Sequence, residues 1–168
     1  MYKIRPNIEA LMPYSTARDE YKGGDISVWL DANESPYDNG VNRYPDPHQK
    51  QLKQALATQK GVSADQLFLG NGSDEAIDLC FRIFCEPGID NVVTIAPTYG
   101  MYAVAAAINN VEVKEVALSA TDFSLSVDDM LSAVDNHTRL MWICSPNNPT
   151  GNAFPLSKIE QLSQRFQG

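Results

Sequence analysis

From residue 91 onward, short apolar runs alternate with segments of helical period, and this alternation restricts the fold more than any other feature of the 168 residues. NVVTIA (91–96) and RLMWIC (139–144) read as buried strands, and VEVKEVAL (111–118) alternates like a half-exposed one. Between them lie an Ala-rich helix at 98–108 and a helix from about 127 to 134, which Ser126 is placed to cap. Leu156, Ile159, Leu162 and Phe166 mark the face of a last helix. Upstream, QLFLG (66–70) reads as a short strand. The segment after it sets Ile77, Cys80, Phe81 and Phe84 on one face before Pro87-Gly88 ends the helix. Parallel strands need long crossovers, so this order predicts an α/β fold with a mostly parallel sheet flanked by helices.

Residues 1–45 lack such periodicity and are rich in turn formers, which predicts an extended N-terminal arm with one short strand at 26–30. From residue 46 the pattern becomes helical, with Leu52, Ala55 and Leu56 on one face and Gly61 as the stop. The expected division is therefore an arm over 1–45 and a sheet-bearing part over 46–168. The pattern breaks off at QRFQG, where Gly168 reads as a helix cap and a further strand is expected. A piece of a longer protein is the expectation.

The net charge of −8 argues against nucleic acid or an anionic membrane as the main partner. No apolar run reaches the roughly 18–20 residues that span a bilayer. MYKIRPNIEA has no apolar signal core, so a cytoplasmic protein is expected. Cys80, Cys85 and Cys144 sit among apolar neighbours and read as reduced, buried thiols. His48 and His137 have no ligand-like neighbours in sequence, and no metal site is expected.

Three stretches carry chemistry. LGNGSDEAI (69–77) is a glycine turn into a helix start, where Ser73 or Asp74 can cap and free N–H groups can bind an anion. It lacks both the Walker ending and the G-x-G-x-x-G spacing, and a plain capped turn is the alternative. APTYGMY (96–102) sets Tyr99 at the opening of a helix, its ring projecting from the carboxyl edge of the sheet, where it could stack on a flat ring or merely pack on a loop. CSPNNPTG (144–151) holds an amide, Asn147 or Asn148, between prolines, able to donate to a phenolate-like oxygen. Three strand ends of one sheet would thus offer an anion nest, an aromatic face and a directed amide. Together they suit a planar, phosphorylated, oxygen-bearing ring.

These stretches, in this order and spacing, resemble the fold-type I pyridoxal-phosphate-dependent aminotransferases. LDANESP (30–36), NRYPDP (42–47) and LMPY (11–14) narrow the resemblance to the histidinol-phosphate aminotransferase branch. It implies an N-terminal arm with part of a small domain over 1–45, then the first part of a pyridoxal-phosphate-binding large domain, incomplete at 168. Main-chain N–H groups around Ser73 and Asp74 would hold the cofactor phosphate. Tyr99 would stack on the pyridine, and Asn148 would bond the 3′ oxygen. Tyr44 would reach the phosphate of a neighbouring subunit in a homodimer, and Tyr14 and Asn33 would line the substrate pocket.

The implied substrates are L-histidinol phosphate and 2-oxoglutarate, in histidine biosynthesis. An aromatic aminotransferase or phosphothreonine decarboxylase of the same fold, or a non-catalytic phosphate-binding or dimerisation module, are the alternatives. The family's Schiff-base lysine, its aspartate under the pyridine nitrogen and its substrate arginines would lie past Gly168, so no catalytic residue is assigned within the chain. The resemblance also makes the Ala96–Pro97 and Asn148–Pro149 bonds candidates for the cis form.

Overall fold

The computed structural model describes residues 3–21, 23–25 and 28–167. In chain order its elements are α1 (Pro6–Glu9), α2 (Ala17–Glu20), α3 (Lys50–Lys60), a 3-10 turn (Ala64–Gln66), α4 (Gly72–Phe84), β1 (Asn91–Ala96), α5 (Met101–Ile108), β2 (Glu112–Ala117), α6 (Val127–Ser132), β3 (Thr138–Trp142) and α7 (Leu156–Arg165). They fall into two compact units, Met1–Ala10 with Gly70–Gly168, and Leu11–Leu69. The helix following Pro47 therefore groups with the residues before it.

The first unit is an α/β layer structure. Its sheet has the order β2-β1-β3 and both pairings are parallel, so α5 and α6 serve as the crossovers. Val93 of β1 stands opposite Lys114 on one side and Met141 on the other, and the β1–β3 register shifts between Asn91 and Val92. Side chains alternate across a strand, and β1 shows it. Val92 enters a cluster with Ile77, Phe81, Cys85, Tyr102, Ala105, Ala106 and Val111, under α4 and α5. Val93 and Ile95 enter the opposite cluster, with Leu118, Leu125, Met130, Phe154 and Leu162, under α6 and α7. Burial on both faces is what the continuous apolar run of β1 predicts. Phe81 has no exposed surface, and burying such a side chain contributes about 1.5–3 kcal/mol.

Local signals account for the boundaries. Ser126 caps α6 by accepting from the Asp129 amide, as expected. Gly61 ends α3 at φ +69°, a conformation that favours glycine. At the C-terminal end of α4, Arg5 of the same unit donates from its backbone to Ile83 O at 3.0 Å and pairs with Glu86 at 3.1 Å.

Four expectations need correction. Residues 67–70 follow the 3-10 turn without joining a ladder, because a short apolar run makes no strand without a partner edge. The Ala-rich helix begins at Met101, since Pro97–Gly100 form a turn, and Tyr99 therefore precedes it. Of the strand expected at 26–30, residues 26 and 27 lie outside the described residues and 28–30 are irregular. The first 45 residues are not simply extended: α1 starts with a proline in its first turn, and Thr16 and Asp19 form a reciprocal capping box on α2. Gly168 lies outside the described residues. Among the thiols, all free, Cys85 alone is fully buried, and burial pushes it up to about 12. Among the described residues no helix is long and apolar enough to cross a membrane.

Candidate functional site

The carboxyl ends of β1 and β3 and the first turn of α4 belong to the same unit, and hydrogen bonds tie them together. Gly72 opens α4 at φ +79°. Neither Ser73 nor Asp74 caps it by side chain; instead the Glu75 carboxylate accepts from the Asn71 amide, and Gly72 N donates to Gly70 O at 3.1 Å. That leaves the amides of Ser73 and Asp74 without an acceptor among the described residues. They stand at the positive end of a 13-residue helix, where an anion is favoured.

The Asp74 carboxylate is also engaged. Tyr99 Oη donates to Asp74 Oδ1 at 3.0 Å. This bond, with partial burial and the nearby negative charge, raises the Tyr99 pKa above the ordinary tyrosine value. The Tyr99 ring meets Tyr102 edge-on with centroids 5.8 Å apart, and Tyr102 stacks on Trp142 at 5.1 Å. The buried Tyr102 and half-buried Trp142 thus support a half-exposed ring. An open cavity of about 510 Å³ is lined by Ala96, Pro97, Tyr99 and Tyr102.

The loop after β3 separates its two asparagines by role. Asn147 is 3% exposed. Its Nδ2 donates to Pro97 O at 3.0 Å and to Thr150 Oγ1 at 2.7 Å, while its Oδ1 accepts from Thr98 Oγ1 at 2.8 Å. Gly151, at φ +76°, closes the turn by donating to Asn147 O at 2.7 Å. Asn148 is exposed, and its side chain makes no hydrogen bond among the described residues. Asn147 is therefore the anchor and Asn148 the available amide. The Ala96–Pro97 and Asn148–Pro149 bonds are cis, as the resemblance implied, and so is Ser145–Pro146.

The site thus differs from the expected one in construction. Two strand ends and one helix start meet, not three strand ends, because residues 66–70 form no strand. The anchoring role of Asn147 and the Asp74 bond to Tyr99 were not anticipated. Each joins residues far apart in sequence, so no local pattern announces it.

In the second unit, Tyr14 and Tyr44 line one cavity of about 670 Å³ together with Arg18, Asp31 and Lys50. Asn33 is exposed, and its backbone oxygen accepts from Tyr44 Oη at 3.0 Å.

The residues of the first unit fit a phosphorylated pyridine: two unpaired helix-end amides, a supported aromatic face and one unengaged amide side chain. Comparison with known proteins points the same way. The family model for aminotransferase class I and II matches residues 17–168. The chain is similar to the histidinol-phosphate aminotransferases of Bacteroides thetaiotaomicron, 58% identical over 164 residues, and of Christiangramia forsetii, 52% identical over 166 residues. Each match covers 98% of the chain and 47% of the relative, so the chain spans about half the length of the curated relatives it matches. Among solved structures it is similar to the histidinol-phosphate aminotransferase of Sinorhizobium meliloti in complex with pyridoxal-5′-phosphate. There the TM-score is 0.67 and the identity 25%, over 74% of this chain and 33% of that one.

Proposed function

Since the chain belongs to the class I and II aminotransferases, we propose that it forms the front portion of a pyridoxal-phosphate-dependent enzyme acting on L-histidinol phosphate. The reaction moves an amino group between L-histidinol phosphate with its keto form and glutamate with 2-oxoglutarate, in the cytoplasm, as a step of histidine biosynthesis. The substrate reading is supported by the names of the relatives at 52–58% identity. The single observation that supports the cofactor reading is that one unit holds the open Ser73 and Asp74 amides, Tyr99 bonded to Asp74, and the unengaged Asn148 amide on the loop that Asn147 ties to Pro97.

Bound pyridoxal phosphate supplies an aldehyde that captures the amine and a ring that takes up the electron pair released at the substrate carbon. The chain's own residues bind and orient. The Ser73 and Asp74 N–H groups hold the phosphate, with the dipole of α4 behind them. Tyr99 covers one face of the ring and is kept from turning by Asp74. Asn148 donates to the 3′ oxygen, held in place because Asn147 fastens its loop to Pro97 and Thr98. Tyr44 reaches the phosphate of a neighbouring subunit in a homodimer, and Tyr14 and Asn33 line the substrate pocket.

The amine nucleophile and the anion beneath the ring nitrogen come from outside these residues. The test is titration of the purified 168-residue chain with pyridoxal phosphate. Expected are weak, reversible binding that inorganic phosphate competes away, no transamination, and no adduct that borohydride can trap. Full-length protein should convert histidinol phosphate. Turnover by the chain alone, with a reduced pyridoxyl adduct on one specific lysine, would overturn the reading.

A further inference from the structure

Glu34 is the most enclosed carboxylate of the Leu11–Leu69 unit whose contacts the structure describes, with a side chain only 3% exposed. Its Oε2 accepts from two guanidiniums, Arg18 Nη2 at 2.8 Å and Arg43 Nη1 at 2.8 Å. Its other oxygen accepts from the Tyr44 amide at 2.7 Å. Arg18 is itself fixed, paired with Asp31 at 2.7 Å and lying 4.7 Å above the Trp29 ring. One carboxylate thus gathers three separate segments: the helix α2, the ANES stretch at 32–35 and the NRYP stretch at 42–45.

The last two segments have no regular secondary structure. No ladder or helix sets their separation, so side-chain bonds must. Besides the Glu34 contacts, the bonds across them are Tyr44 Oη to Asn33 O at 3.0 Å and Asn42 Nδ2 to Ser35 O at 3.1 Å. The Glu34 contacts are the charge-assisted ones, and such bonds are roughly twice as strong as neutral ones. A buried acid stripped of its partners is costly, whereas one satisfied on both oxygens fixes its surroundings.

We infer that Glu34 is a positioning residue, which sets Tyr44 and Asn33 for cofactor and substrate by clamping their two irregular segments together. The inference rests on the proposed roles of those two residues. It assigns Glu34 no contact with either ligand.

The test compares Glu34→Gln, Tyr44→Phe and the double variant in the full-length dimer, reading the Kd for pyridoxal phosphate together with hydrogen exchange at the Tyr44 amide. Glutamine keeps the shape but removes the charge that holds both guanidiniums. Expected are Tyr44 exchange at least about tenfold faster and a Kd raised about tenfold in Glu34→Gln. In the Tyr44→Phe background Glu34→Gln should add little further, since both act through one hydroxyl. A merely structural residue would give additive losses and a lowered melting temperature throughout. Unchanged exchange at Tyr44, faster exchange with an unchanged Kd, or full additivity overturns the inference. If Tyr44→Phe alone leaves the Kd unchanged, the role proposed for Tyr44 fails first; the inference then fails with it unless Glu34→Gln still raises the KM for substrate through Asn33.

Discussion

Tyr99 and Asp74 lie 25 residues apart and share a 3.0 Å hydrogen bond that joins the turn after β1 to the first turn of α4. The phenol is the donor, so the bond exists only while Tyr99 keeps its proton. Because its pKa is raised in the fold, the stabilisation is fully present below the ordinary tyrosine value near ~10 and is lost as pH rises through the folded value. Asp74→Ala should bring the phenolate absorbance of Tyr99 in at lower pH. An unmoved Tyr99 titration would show that the bond does not form in solution. Tyr102, pushed up to about 12 mainly by burial, should titrate last in both proteins.

Adjacent asparagines should behave oppositely. Asn147→Ala removes a buried amide and leaves partly buried groups of Pro97, Thr98 and Thr150 without their partner, which should cost roughly 2–3 kcal/mol in urea unfolding. Asn148→Ala should stay within about 0.5 kcal/mol of the parent yet weaken pyridoxal phosphate binding roughly tenfold. Equal stability losses in the two variants would contradict the division of roles.

On the apolar side, Phe81→Ala should destabilise by about 3–5 kcal/mol, because the ring is wholly buried and lies 5.7 Å from that of Trp142. Leu156→Ala, at a 69% exposed position, should change stability by less than about 0.5 kcal/mol. Denaturant midpoints at constant slope measure both.

Acid should reveal the end of the sheet away from the site. Asp135 is held well below the usual carboxylate range, first by Lys114 and then by Asn91 and the His137 amide. A depressed carboxylate contributes stability above its unfolded pKa, near ~4, and loses it as pH falls toward the folded value. Lys114→Met should therefore lower stability at neutral pH and flatten its decline below pH ~4. An unchanged acid profile would count against this pair.

What the sequence revealed followed how local each signal was. The apolar run of β1, the spacing of Ile77 and Phe81, and the Ser126 cap are decided within a few residues, and each appears where its pattern lies; β3 stops at Trp142, two residues short of its apolar run, and is only half-buried. Leu67, Phe68 and Leu69 form the same kind of apolar run, but a strand also needs a neighbour, which the run alone cannot supply. Ser73 and Asp74 look like caps, yet Glu75 reaches back to Asn71 and leaves their amides open. Asn147 and Asn148 are chemically identical in sequence. Only the approach of Pro97 and Thr98, 50 and 49 residues away, decides which is sealed inside.

Thr98 and Tyr99 are consecutive but reach in opposite directions, one to Asn147 and the other to Asp74. The turn between β1 and α5 therefore works as a spacer of fixed length: one inserted residue there would uncouple one reach from the other. At 38–41 the Asp38 and Asn39 side chains accept from the amides two residues on, so lengthening would be absorbed locally. Drift in loop length among descendants of this chain should accumulate at 38–41 and leave 97–100 untouched.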